Sequence, residues 1–121
     1  MGYYTNYSLS IEKNEFNTKD IFSYMKEQYK THNKFYPFAY CFEYYEGKEI
    51  SSIDFNGEYA KWYDHDDEML ELSKQFPETV FCLYGEGEGS EDMWYTYYKN
   101  GKLQHCPAKI TFDVYNESKL E

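Results

Sequence analysis

The chain has 121 residues, room for one domain around one core, and carries 22 acids against 12 lysines with no arginine, a formal net charge of −10. Affinity for phosphate comes from Lys and Arg displacing counterions, so this balance argues against direct binding of nucleic acid or of an anionic membrane surface. Sixteen Tyr and nine Phe imply a core of large rigid rings, many bearing a hydroxyl that needs a partner or water.

The opening MGYYTNYSLS has no basic region followed by an apolar stretch, and Asn6 stands where a myristoylation signal needs Ser or Thr. The longest uncharged aromatic run, FYPFAYCF at 35–42, falls well short of the ~20 residues of a spanning helix. The expectation is an unexported cytoplasmic protein. Cys41, Cys82 and Cys106 are widely spaced, each in a strand-like segment, and are expected to be reduced core thiols without disulfide or zinc.

Alternation of Tyr7, Leu9 and Ile11 with Ser8, Ser10 and Glu12 predicts an opening strand. A helix follows, with Asn17 as N-cap and Ile21, Met25 and Tyr29 as its apolar stripe, ending near His32 and Asn33 before Pro37. FAYCFEYY at 38–45 reads as a buried strand, and Asn56-Gly57 as a turn between extended flanks. Asp64 can cap a second helix with Asp66, Asp67 and Glu68 in its first turn and Met69, Leu72 and Phe76 on one face; Pro77 ends it. Residues 79–86 read as a strand, and 92–98 pairs with 102–115 in a hairpin turning at Asn100-Gly101. Pro107 suggests an edge position or a bulge for that last strand. The order βαββαβ, over a single domain spanning residues 1–121, predicts an α+β fold: a ferredoxin-like antiparallel sheet backed by two helices and extended by a C-terminal β-hairpin.

Trp62, then Leu72-Ser73, Phe76-Pro77 and the strand Phe81-Cys-Leu-Tyr-Gly-Glu86 resemble the ferredoxin-like domain of YubB-type proteins from phages and plasmids, whose helix ends in LS-xx-FP and leads into an F-x-L-x-x-x-E strand. The resemblance covers about a third of the chain and implies a fold and a mobile-element origin. It brings no catalytic residues with it. Where family members often continue the strand into an apolar segment, this chain has EGEGSED.

That segment belongs to YGEGEGSED at 84–92, whose alternating Gly85, Gly87 and Gly89 imitate a phosphate loop. A phosphate loop needs backbone N–H groups at a helix N-terminus, usually a nearby Lys, and few carboxylates; here acids and a strand follow the glycines. The plainer alternative is a connection between strands with solvated acids. DHDDE at 64–68 offers a His and hard oxygen ligands, yet neighbours on a helix point ~100° apart and cannot converge on one ion. His105 and Cys106, adjacent in a strand, face opposite ways and cannot form a catalytic pair. The rings of WYTYY at 94–98 could stack bases only in a basic groove, so a sheet face or a protein contact suits them better.

What remains is the acid distribution. Glu86 and Glu88, if extended, would stand ~6.7 Å apart on one face, about two phosphate steps along a DNA strand. The leading expectation is therefore a non-enzymatic binding protein without cofactor or metal, encoded by a phage or other mobile element. It would inhibit a host nucleic-acid-binding or defence protein by covering its basic surface, as anti-CRISPR and other DNA-mimic inhibitors do. Glu86, Glu88, Glu91 and Asp92 are the first candidate contacts, Asp66, Asp67, Glu68 and Glu71 the second, and Tyr95 and Tyr97 the anchors at the rim. The alternatives are a divalent-metal-dependent enzyme or small-ligand binder using the same acids, and a homodimer that extends its sheet through an edge strand.

Overall fold

A computed structural model describes residues 4–13, 18–48, 52–89 and 92–121. Among these, five strands form one antiparallel sheet: β1 Thr5–Lys13, β2 Asp54–Ala60, β3 Val80–Glu86, β4 Met93–Lys99 and β5 Lys102–Pro107, in the order β2-β1-β3-β4-β5. The α-helices are α1 Thr18–His32, α2 Ala39–Tyr44 and α3 His65–Gln75, with short 3-10 turns at Tyr36–Phe38 and Glu117–Lys119. The architecture is thus α+β, an antiparallel sheet with helices.

Period-two alternation decides which residues meet the helices. Leu9 sits opposite both Phe55 and Leu83, and Phe81 opposite both Ile11 and Tyr98, so these side chains share one sheet face. Leu9, Phe55, Phe81, Leu83 and Tyr98 are all buried. Every helix reaches this same face. The Phe22 ring of α1 lies 6.2 Å from Phe55, the Phe42 ring of α2 lies 6.0 Å from Phe55, and His65 of α3 stacks on Trp94 at 5.2 Å. Ile21 and Met25 are buried along the expected stripe of α1, while Tyr29 is half-buried against Phe42. Each fully buried ring or aliphatic chain of this kind contributes ~1.5–3 kcal/mol relative to exposure.

Four local expectations are corrected. Residues 38–45 are not a strand: the chain turns through Tyr36–Phe38 into α2. Phe35, Phe38 and Phe42 are buried while Tyr40 and Tyr44 are exposed and stacked on each other, which is a helical spacing of three and four. Cys41 therefore lies on a helix. Asn56-Gly57 is not a turn but part of β2, beside a register shift between Asn6 and Ser8. A Cβ on Gly57 would fall 2.9 Å from the Phe38 ring and 3.1 Å from the Tyr7 carbonyl oxygen, so glycine there admits the packed turn. Residues 108–115 do not extend the last strand, which stops at Pro107. Asp64 occupies the N-cap position of α3, but its side chain makes no capping hydrogen bond; its carbonyl accepts from Glu68 N at 3.0 Å. The proposed cap Asn17 lies outside the described residues.

The Asn100-Gly101 turn forms as expected, with φ of 48° and 76°, the left-handed pair that suits the twist of the flanking strands. Gly85 also has a structural reason. It sits in β3 opposite Trp94, and a Cβ would come within 2.1 Å of the indole. Gly85→Ala is expected to lower the urea midpoint by an amount equivalent to about 1–3 kcal/mol, as overpacking does. An unchanged midpoint would show that the indole does not depend on this space.

Candidate functional site

The second sheet face is left uncovered by all three helices. Strand register groups its side chains into cross-strand rows. Asp54, Ser10, Cys82, Tyr97 and Gln104 form one, and Asn56, Ser8, Tyr84, Tyr95 and Cys106 the next. Tyr59, Asn6, Glu86 and Met93 form a third. Tyr84 and Tyr95 pack at 4.9 Å, and Tyr95 and Tyr97 stack at 6.4 Å with planes 20° apart. Tyr95 remains 47% exposed. The hydroxyl of Tyr84 donates to the Glu86 carboxylate at 3.3 Å, and burial together with that carboxylate raises its pKa. Glu12, Asp54 and Glu86 place exposed carboxylates around the tyrosines. A shallow concavity of about 250 Å³, lined by Tyr40, Tyr44, Asp54 and Asn56, continues this surface toward α2.

Cys82 lies beneath the tyrosine surface, buried, and desolvation pushes its thiol up to about 11. A thiol so placed stays protonated at neutral pH and is a poor nucleophile. The described cysteines are free, and against the expectation of core thiols only Cys82 is buried, Cys41 and Cys106 being half-buried. His105 and Cys106 do lie on opposite faces, with His105 Nδ1 hydrogen-bonded to Thr96 Oγ1 at 2.8 Å on the helical side.

The glycine segment does not build a phosphate loop. Gly87 N donates to the Asp92 carbonyl at 2.8 Å and Asp92 N to the Gly89 carbonyl at 3.1 Å, and the strand β4, not a helix, follows Asp92. The extended pair of carboxylates is not formed either. Glu86 ends the strand, Glu88 lies in the following bend, and its Oε2 accepts from Tyr4 N at 2.7 Å. Asp92 is half-buried, and Glu91 lies outside the described residues.

The acids of α3 sit on the other side of the sheet, and two of them serve the core. Asp66 accepts from the Tyr98 hydroxyl at 2.5 Å. Glu68 Oε1 accepts both from Phe35 N at 2.7 Å and from Trp62 Nε1 at 3.0 Å. Burial raises the Glu68 pKa, and the two donors offset part of that rise. Asp67 and Glu71 are exposed. Thus Glu86, Tyr95 and Tyr97 are brought together, whereas Asp66, Asp67, Glu68 and Glu71 form a separate group, so the two acidic clusters are not one patch. Among the described residues no group of three or more His, Cys, Asp or Glu is arranged to hold a metal ion.

Sequence reasoning passed over Tyr84 and Tyr59. Tyr84 shares the period-two face of Glu86, a signal present in the sequence, but Tyr59 joins this face only through its pairing with Asn6 across a register shift.

Compared with known proteins, the chain matches no family model, no curated protein and no solved structure. Among the described residues no helix is long and apolar enough to cross a membrane.

Glu68→Ala leaves two buried N–H groups without an acceptor and is expected to cost about 1–3 kcal/mol in urea unfolding at pH 7. Glu68→Gln keeps an acceptor oxygen and removes the charge. Because the folded pKa of Glu68 is raised, its contribution to stability is fullest below the ordinary carboxylate value and declines as pH rises through the folded one. Relative to wild type, the Gln variant should therefore gain stability between pH 4 and pH 7; equal slopes in the two proteins would contradict this.

Proposed function

We propose that this chain is a non-catalytic acidic binding protein that lays its uncovered sheet face on the basic surface of a host nucleic-acid-binding or defence protein. It acts as an inhibitor of the DNA-mimic, anti-CRISPR kind, encoded by a phage or other mobile element. The observation that carries this reading is the cluster of tyrosines Tyr84, Tyr95 and Tyr97 with Glu86 beside them, on a face that none of the described helices covers, in a chain of net charge −10 without arginine. Long-range attraction would bring a cationic partner to the face. Rigid tyrosine rings would then supply contact area at small entropic cost.

A fold-level reading goes with this proposal. The order β2-β1-β3, with helical crossovers between β1 and β2 and between β2 and β3, is what a ferredoxin-like sheet becomes when a short helix replaces one edge strand. The strands β4 and β5 extend its other side. Trp62, Leu72 and Phe81, residues that carry the YubB-type resemblance, are all buried, which is consistent with that resemblance being one of packing.

Capture of partners from host lysate, with elution by rising salt, would identify the target. Against that purified target, Tyr95→Ala should weaken affinity about tenfold or more. Replacing Glu86, Glu88, Glu91 and Asp92 together by Ser should slow association and flatten its salt dependence. Asp67→Ser with Glu71→Ser should change little. The reverse pattern, with the α3 variant losing the partner and the sheet-face variants keeping it, would show that the wrong surface has been assigned.

A further inference from the structure

The chain after β5 belongs to no strand or helix as far as residue 116, and its apolar side chains are exposed. Ala108 N donates to the Met93 carbonyl at 2.8 Å, completing the ladder with β4, and beyond it the backbone leaves the sheet. Ile110, Phe112 and Val114 then alternate with Thr111 and Asp113, the spacing of a strand with one apolar side. Their exposures are 45%, 89% and 88%, and Tyr115 follows at 73%. The segment closes in the 3-10 turn Glu117–Lys119, where the Asn116 side chain accepts from Ser118 N at 3.1 Å. A segment with this alternation and no sheet of its own is suited to adding as a strand to another sheet's edge.

The same chain offers that edge. The outer side of β2 is flanked by the Tyr36–Phe38 turn and α2, whereas β5 ends the sheet and, among the described residues, no strand pairs with its outer side. Lys99 pairs with Lys102 across a two-residue turn, and Ala108 bonds back to Met93. In an alternating antiparallel ladder these two pairs leave the N–H and C=O groups of Leu103 and His105 pointing outward. Pro107, which has no N–H, ends the usable stretch. Leu103 also lines an open surface cavity of about 410 Å³ with Tyr97, Tyr98, Lys102 and Gln104.

Charge selects the occupant. Two chains of net charge −10 repel over most of their surfaces, but residues 93–112 contain Lys99, Lys102 and Lys109 and no carboxylate. The exposed segment and the turn after it carry Lys109 and Lys119 against Asp113 and Glu117, and so are neutral overall. A neutral, apolar segment meets no such repulsion on the strip of Lys99 and Lys102, and laid antiparallel with Phe112 opposite Leu103 it sets Asp113 opposite Lys102; a second copy supplies both.

We propose that residues 109–115 of one copy add as an extra strand to the β5 edge of a second copy, with Phe112 seated in the cavity beside Leu103 and the exchange made reciprocal by a two-fold axis. The proposal is independent of the reading of the tyrosine face.

Sedimentation of the full chain over a range of concentrations tests it. Wild type should contain a species of two 14.7 kDa chains. Phe112→Asp and, separately, Leu103→Asp should each raise the dimer dissociation constant about tenfold or more while leaving the far-ultraviolet circular dichroism unchanged. Phe112 is exposed, so its substitution does not threaten folding. A wild-type chain that stays monomeric up to its solubility limit overturns the proposal, as does a dimer that both variants keep.

Discussion

One half-buried carboxylate ties together several separate elements of this fold. Glu68, in the first turn of α3, holds the backbone N–H of Phe35 and the indole N–H of Trp62 on a single oxygen. Phe35 is a buried ring on left-handed backbone, φ 58°, a conformation that a non-glycine residue keeps only where its surroundings hold it. Trp62 in turn packs edge-on against Tyr7 of β1 at 5.2 Å and against Phe38 at 5.7 Å. Through one acid, the turn before α2, the end of β2, the centre of the sheet and the start of α3 are brought into one aromatic cluster.

That joint explains why the acidic run at 64–68 differs from a display surface. A cluster of Asp and Glu at a helix start reads, by charge alone, as favourable to the helix dipole and open to solvent. Tertiary packing takes Glu68 for the Phe35 and Trp62 donors and Asp66 for the Tyr98 hydroxyl. Asp67 and Glu71 stay exposed. The charge of this chain therefore divides between acids that orient core rings and acids that face outward.

Much of the architecture was legible because its signals are local. Alternation from Tyr7 to Ile11, the stripe of Ile21 and Met25, and the Asn100-Gly101 turn each carry their period or their turn chemistry within a few residues. The segment 38–45 was misread for a physical reason: when nearly every residue is aromatic, β-propensity is high throughout, and the helical spacing of Phe35, Phe38 and Phe42 is masked by Tyr40 and Tyr44, which are equally bulky but exposed. Gly57 looked like a turn residue because Asn-Gly is a strong hairpin signal, yet its missing Cβ makes room for Phe38, a contact between residues that no local window contains. The candidate face was half visible. Tyr95, Tyr97 and Glu86 follow from alternation, whereas the pairing that sets Tyr59 beside Asn6, and the use of Glu68 inside the fold, depend on register and packing.

All helices lie against one side of the sheet, so neighbouring residues along β1, β3 and β4 answer to different demands. Leu9 and Leu83 are set by close packing, while Ser8, Tyr84 and Tyr95, one position away, are set by whatever meets them from outside. A scaffold divided in this way can be re-tailored: the outward positions of adjacent strands can be varied together, as in a combinatorial library, while every core contact is kept. Recognition by such a protein can change without its folding having to change with it.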